Sequence, residues 1–227
     1  IDTLGLMARS IEDILSMRNI LIEEECLLNE NLNINNIRFA FVKTPYWNKV
    51  DDDTKVNIEN FISNLIEANV NVKEIDLNNL ILEFSEIHKK ISGYEFKRSI
   101  SAERFHHYNE LSDILRNGRL SDGENMSLSD YHYLFDHLEK HKHMINNKIS
   151  SYDCIISPSA LGEALNGLEY TGSPVLNTTW TLLGLPSITL PMFTSKNNLP
   201  IGCQFISKKA EDNNLLSISK KILLEFS

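Results

Sequence analysis

The stretch TGSPVLNTTWTLLGLPSITLPM, residues 171–192, sets a turn, a short helix, a reversal and a strand end to end. Gly172 and Pro174 open it as a turn. Val175 to Leu183 follows as a short helix, and Gly184 stands where a helix needs a C-terminal residue in the left-handed conformation, which glycine adopts without steric cost. Pro186 forbids continuation of the helix, and SITL then reads as a strand stopped at Pro191. Asn177, Thr178, Trp180 and Thr181 put polar and aromatic groups at the start of the helix. Such a segment can line a pocket beside a sheet, where ligands usually sit. The same residues also suit a helix packed beneath a site, and the spacing does not choose between the two.

Reading outward, PIGCQFIS (200–207) gives another strand and residues 211–226 a closing amphipathic helix. Upstream, SYDCIISPSA (151–160) reads as a strand ending at Pro158. Near the front, Ser10 with Asp13 approximates a capping box before a helix over 11–24. IRFAFVK (37–43) reads as a buried strand, and VNVKEIDL (70–77) as another. Between these strands, DDDTKVNIENFISNLIEAN has carboxylates at its start, facing the positive end of a helix dipole. Val56, Ile58, Phe61, Ile62, Leu65 and Ile66 form its apolar stripe. Strand, helix and strand in that order predict a βαβ unit in a parallel or mixed sheet. From 79 to 149 no strand is expected, only helical stretches at 80–92, 99–107, 111–117 and 127–149. The expected architecture is α/β: sheet-forming parts at 1–78 and 151–227, with a helical insertion at 79–150, all within one domain.

Composition narrows the function. Hydrophobic residues make up 42% and charged residues 23%, enough for a real core. A net charge of −9 without a basic stripe argues against nucleic acid as a partner. No run of about 18 apolar residues is present, so no membrane partner is expected. Cys26, Cys154 and Cys203 are widely spaced with no CxxC pair, which fits free thiols in a reducing cytoplasm. The 25 Asn residues are spread along the whole chain and form no low-complexity tract.

Chemical motifs are sparse. His137 and His141 stand four apart on a helix, with His132 and His143 nearby, and such a pair can share a metal. The first His is not followed by Glu in the HExxH manner, and the mixture with Lys and Glu in YHYLFDHLEKHKHM favours a solvated helix face, so no metal is expected. His106 and His107 read as surface or interhelical groups. No GxSxG elbow and no Gly-rich phosphate loop occur, and the Ser217–Lys220 spacing falls on the closing helix without a cleft.

Four segments, in order, carry a resemblance. WTLLGLPSITLP followed by LPIGCQFIS resembles the C-terminal part of amidase signature enzymes. YDCIISPSALGEAL resembles their preceding strand and turn, and FVKTPYWNKVDDDTK an earlier strand and helix start. DTLGLMARSIEDI resembles the family's DTxGPxARSxxD segment, with Leu6 where Pro is frequent. The resemblance implies the C-terminal portion of the amidase fold, a mixed sheet flanked by helices. It places the family's Gly/Ser-rich signature and Ser–cis-Ser–Lys triad upstream of Ile1, so no catalytic residue falls in this chain. In that triad Lys acts as base through the cis-Ser, and backbone N–H groups of the Gly-rich loop stabilise the oxyanion. Because such parts act together, the chain alone is expected to be inactive.

The implied reaction of the complete protein is hydrolysis of the C–N bond of a small carboxylic amide to acid and ammonia or amine. No cofactor is implied, since the family's chemistry uses side chains and water. Asn177, Trp180 and Thr181 are the pocket candidates, and residues 94–133 of the insertion are expected to shape the substrate entrance. TPYW and LNTTWTLLGLP look more like the stand-alone small-amide enzymes than like the A subunit of tRNA-dependent amidotransferases. The amidotransferase component and a non-catalytic binding remnant are the alternatives. Expected partners are the amide substrate and the N-terminal half of the amidase domain. A homodimer is the other way to cover apolar surface left bare by a half domain.

Overall fold

The computed structural model describes residues 3–226, so Asp2 of the DTLGLMARS segment lies outside the described residues. In chain order the elements are α1 (Ile11–Ile22), β1 (Arg38–Phe41), α2 (Asp52–Glu67), β2 (Asn71–Glu74), α3 (Asn78–Ser99) and α4 (Ser101–His106). They continue with α5 (Asp113–Leu115), α6 (Ser121–Glu124), α7 (Leu128–Ile149), β3 (Cys154–Pro158), α8 (Thr178–Leu183), β4 (Ser187–Thr194), β5 (Pro200–Ile206) and α9 (Asp212–Phe226). Residues Arg116–Leu120 join α5 to α6 through a kink at Gly118, whose backbone (φ −103°, ψ −105°) is not helical. Two compact units divide the chain: Asn79–Lys148, and the residues up to Asn78 together with those from Ile149 onward. Among the described residues no helix is long and apolar enough to cross a membrane.

The second unit is built on one sheet of order β2-β1-β3-β5-β4. β2, β1 and β3 run parallel, while β5 lies antiparallel to β3 and β4 antiparallel to β5, so front and tail of the chain share a mixed sheet. Side chains alternate across a strand, and the register stacks one face in line: Phe41 beside Ile156, Ile156 beside Phe205, Phe205 beside Ile188. That face meets Ile11 of α1, Ile58, Phe61 and Leu65 of α2, and Leu215, Ile218 and Ile222 of α9 in the main core. Phe61 sits edge-on to Phe193, Phe205 and Phe226 at 5.9–6.3 Å. The α2 stripe is narrower than its sequence predicts, because Val56 and Ile66 turn outward.

Local signals account for the ends. Ser10 accepts the Asp13 backbone N–H at 3.1 Å, and Asp51 accepts that of Thr54 at 2.7 Å, each satisfying an orphan donor of a first turn. Arg38 and Asp153 form a two-pronged pair at the starts of the adjacent strands β1 and β3, at 2.8 and 3.0 Å. Burial pushes the Cys154 and Cys203 thiols up, so both behave as inert core groups.

The helical unit has its own core. Ile81, Phe84, Ile87 and Ile91 of α3 recur at helical spacing, as do Leu138, His141 and Ile145 of α7. Phe84 meets His141 and Tyr94 stacks on Tyr131 at 4.6 Å, so α3 and α7 run antiparallel. The Tyr131 hydroxyl donates to Glu95 at 2.9 Å, and burial pushes that phenol up to about 12. Gly93 and Gly123 let two backbones touch: a Cβ on Gly123 would overlap the Gly93 carbonyl.

Candidate functional site

The face of the sheet opposite the main core carries polar groups inside otherwise apolar strands. Ser157, Gln204 and Thr189 stand side by side on β3, β5 and β4. Ser157 and Gln204 are almost fully buried, yet Ser157 Oγ and Gln204 Oε1 find no partner, and neither do Thr179 Oγ1 and the Trp180 indole N–H. A buried polar atom without a partner costs about 1–3 kcal/mol, so a cluster of them is uncommon in a finished core.

α8 rises over this row. Its first residues are fixed by the Asn177 side chain, whose Nδ2 donates to the Ser159 carbonyl at 3.1 Å while its Oδ1 accepts from Gln204 Nε2 at 2.8 Å. Asn177 thus binds the end of β3 to the middle of β5. Trp180 is 1% exposed and belongs to the core, with only its indole N–H left unmatched. Thr181 is half-buried and donates its backbone N–H to the Asn177 carbonyl. Gly184 takes the expected left-handed conformation (φ 66°) and closes the helix. The three sequence candidates therefore occupy one short helix, but only Asn177 joins the polar row directly.

Around the carboxyl ends of β1 and β3, three loops interlock. Thr44, just past β1, has φ 64°, an unusual state for a β-branched residue and one that tends to persist where the surroundings enforce it. The Asp51 N–H donates to the Leu161 carbonyl at 2.7 Å, and Gly162 packs so closely on Asp51 that a Cβ there would meet its carboxylate. Beyond it, Glu163 accepts from the Ser195 hydroxyl and from Asn197 Nδ2 at 2.6 Å, and these bonds hold its carboxyl below the usual range. Ser159 Oγ donates to the Gly202 carbonyl at 3.0 Å. Ligands of open α/β sheets commonly lie outside the carboxyl ends of parallel strands, which is where these loops gather.

Chemically, the unmatched groups are two hydroxyls (Ser157 and Thr179), one amide oxygen that can accept (Gln204) and one indole N–H that can donate (Trp180). The Ser217–Lys220 spacing is structural: Ser217 donates to the Asn213 carbonyl, and Lys220 pairs with Glu12 and Glu30. Ser157, Ser159 and Gln204 escaped the sequence reading as site residues, although period-2 alternation marks Gln204 as a polar position between Cys203 and Phe205.

A five-stranded mixed sheet flanked by helices is an α/β architecture, and solved structures share it. An amidase crystal structure matches at a TM-score of 0.80 with 18% identity, covering 96% of this chain and 52% of that one. A fatty acid amide hydrolase matches at 0.74 with 18% identity, covering 95% and 46%. In sequence the chain is 24% identical over 264 residues to the A component of the glutamyl-tRNA(Gln) amidotransferase of Acinetobacter baumannii, covering 96% of this chain and 53% of the relative. The family model described as Amidase matches residues 1–216, and the chain belongs to that family, the one its four motifs resemble. It spans about half or less of the length of the curated relatives it matches.

Proposed function

We propose that this chain is the pocket-wall and half-sheet portion of an enzyme that hydrolyses the C–N bond of a small carboxylic amide. In this reading the Ser–cis-Ser–Lys triad is supplied by a segment that precedes Ile1, and the chain alone shows no turnover above background. The observation that carries it is the cluster of buried, unmatched atoms where β3 and β5 meet α8 (Ser157 Oγ, Gln204 Oε1, Thr179 Oγ1 and the Trp180 indole N–H) in a chain that the Amidase family covers almost end to end. Such a cluster suits a surface completed by another segment or by a polar substrate. In this reading Asn177 acts by positioning Gln204, the Trp180 indole N–H faces the covering segment, and half-buried Thr181 stands on the same helix. Exposed Leu4, Met7, Ile20 and Leu27 at the front of the chain are apolar surface for the covering segment or for a second copy.

The second reading is the A subunit of a tRNA-dependent amidotransferase, favoured by the sequence relative named above. A binding remnant without chemistry is the third. The test is to read the codons preceding Ile1 and to express the chain both alone and with any in-frame upstream segment, assaying ammonia release from simple amides. Turnover by the longer protein only supports the proposal, and Asn177→Ala should then lower kcat/KM by up to about a hundredfold. Robust turnover by the 227-residue chain alone sinks it. Ammonia release that requires glutamine and co-purifying subunits moves the amidotransferase reading to first place.

A further inference from the structure

The helical unit holds a group that its sequence hid. Expected on a solvated face, His141 is instead 8% exposed, packed edge-on against Phe84 of α3. One turn earlier on α7, His137 places its ring centroid 4.1 Å from that of His141. Glu83, 54 residues before His137 and on α3, reaches both: its Oε1 lies 2.9 Å from His141 Nε2 and 3.4 Å from His137 Nε2. One ligand atom from each of the three side chains lies within 4.8 Å of the other two.

One carboxylate oxygen facing two imidazole nitrogens is an arrangement that either protons or a shared cation can complete. His141 Nδ1 faces the His137 carbonyl at 2.8 Å, and a carbonyl only accepts, so the proton sits on Nδ1. In the neutral ring Nε2 is then a bare lone pair, aimed at a carboxylate oxygen that is also an acceptor. A proton there makes a plain His141–Glu83 contact, and a cation shared with His137 is the other way to complete it. A single divalent ion among the three groups satisfies every lone pair at once. The Nδ1–H bond to a backbone carbonyl is also the outer contact that metal-binding histidines commonly make, since it fixes tautomer and ring orientation.

We propose that Glu83, His137 and His141 form a binding site for a divalent cation of the Zn²⁺ type that clamps α3 to α7. Two imidazoles and a carboxylate are a regular zinc donor set, with a fourth position left for water. Ligand atoms about 2.0–2.1 Å from a tetrahedral ion stand about 3.3 Å apart, so the 2.9 Å Glu83–His141 contact opens slightly, the 3.4 Å Glu83–His137 contact is already near that spacing, and all three atoms start within 4.8 Å of one another. The i, i+4 spacing supplies two ligands from one helix face, and the antiparallel partner helix supplies the third.

The test titrates the purified full chain with Zn²⁺ against a chromophoric chelator, and with Co²⁺ followed by visible absorption. One equivalent should bind, and the Co²⁺ spectrum should show ligand-field bands of a nitrogen and oxygen site without thiolate charge transfer. Glu83→Gln and His137→Ala, both at partly exposed positions that should not disturb the fold, should each weaken binding by about tenfold or more, at least what loss of an outer-shell partner costs. A double substitution of His132 and His143 should leave it unchanged. Absence of stoichiometric binding overturns the proposal. So does affinity undiminished in the Glu83 and His137 variants, or a thiolate band that places the metal on Cys26.

Discussion

The two units of this chain are stabilised by different kinds of order. In the sheet unit, partners come from far apart in sequence and register does the organising: Phe41, Ile156, Phe205 and Ile188 stand in a line set by strand pairing. In the helical unit the elements are amphipathic in their own right, and what organises them is a few close approaches between helices, at Gly93 with Gly123 and at Glu83 with His137 and His141. The comparison teaches that polar chemistry is stored differently in each. The sheet unit keeps it as unpartnered groups on one face, and the helical unit as a cluster drawn from two helices.

Deleting core volume gives the largest expected effect and asks whether the units unfold separately. Phe205 is fully buried in the sheet unit, and Phe205→Ala should cost about 3–5 kcal/mol. Ile145, fully buried on α7, should cost about 2–5 kcal/mol when cut to Ala. Trp47 and Trp180 both lie in the sheet unit, so tryptophan fluorescence reports that unit alone. Urea unfolding followed by fluorescence should shift strongly for Phe205→Ala and little for Ile145→Ala, whereas far-ultraviolet circular dichroism should register both. Equal fluorescence shifts would show that the two units melt as one.

Added volume is the next test. Gly123→Ala drives a Cβ against the Gly93 backbone, which has no flexible end to give way, and should cost about 1–3 kcal/mol or more. At Gly162 in the sheet unit the clash is with the Asp51 side chain, which can rotate aside at the expense of its cap on Thr54. Gly162→Ala should therefore cost less than Gly123→Ala, and thermal denaturation of the two variants checks the order. Losing a cap is smaller again: Ser10→Ala should lower stability by about 1 kcal/mol through α1.

Much of the sheet unit could be read from its sequence, because turns, caps and alternation are local. Gly184, Pro158 and Ser10 each mark an element boundary within a residue or two of where it falls. What stayed hidden depends on distance along the chain. Gln204 looks like one polar residue in an apolar strand until β3 and α8 are laid beside it, and His141 looks solvated until Phe84 and Glu83 arrive from α3. Periodicity reports which face a residue occupies. It does not report which other face covers it.

The smallest effect separates strand register from core packing in the sheet unit. Arg38 and Asp153 join β1 to β3 at the surface, and the guanidinium hydrogen bond holds the Asp153 carboxyl below its ordinary value of 3.8. A carboxylate whose pKa is lower folded than unfolded stabilises the fold above the unfolded value, and that contribution fades as pH falls through the folded value. Arg38→Met should thus lower the melting temperature modestly at pH 7, where the pair is charged. Near pH 2 the two proteins should melt closer together, because protonation has already removed the pair from the parent. High salt at pH 7 should narrow the gap as well, since Arg38 is exposed and Asp153 only half-buried, which leaves the pair open to screening. A gap that stays constant from pH 7 to pH 2 would mean that the Arg38 methylenes matter more than its charge.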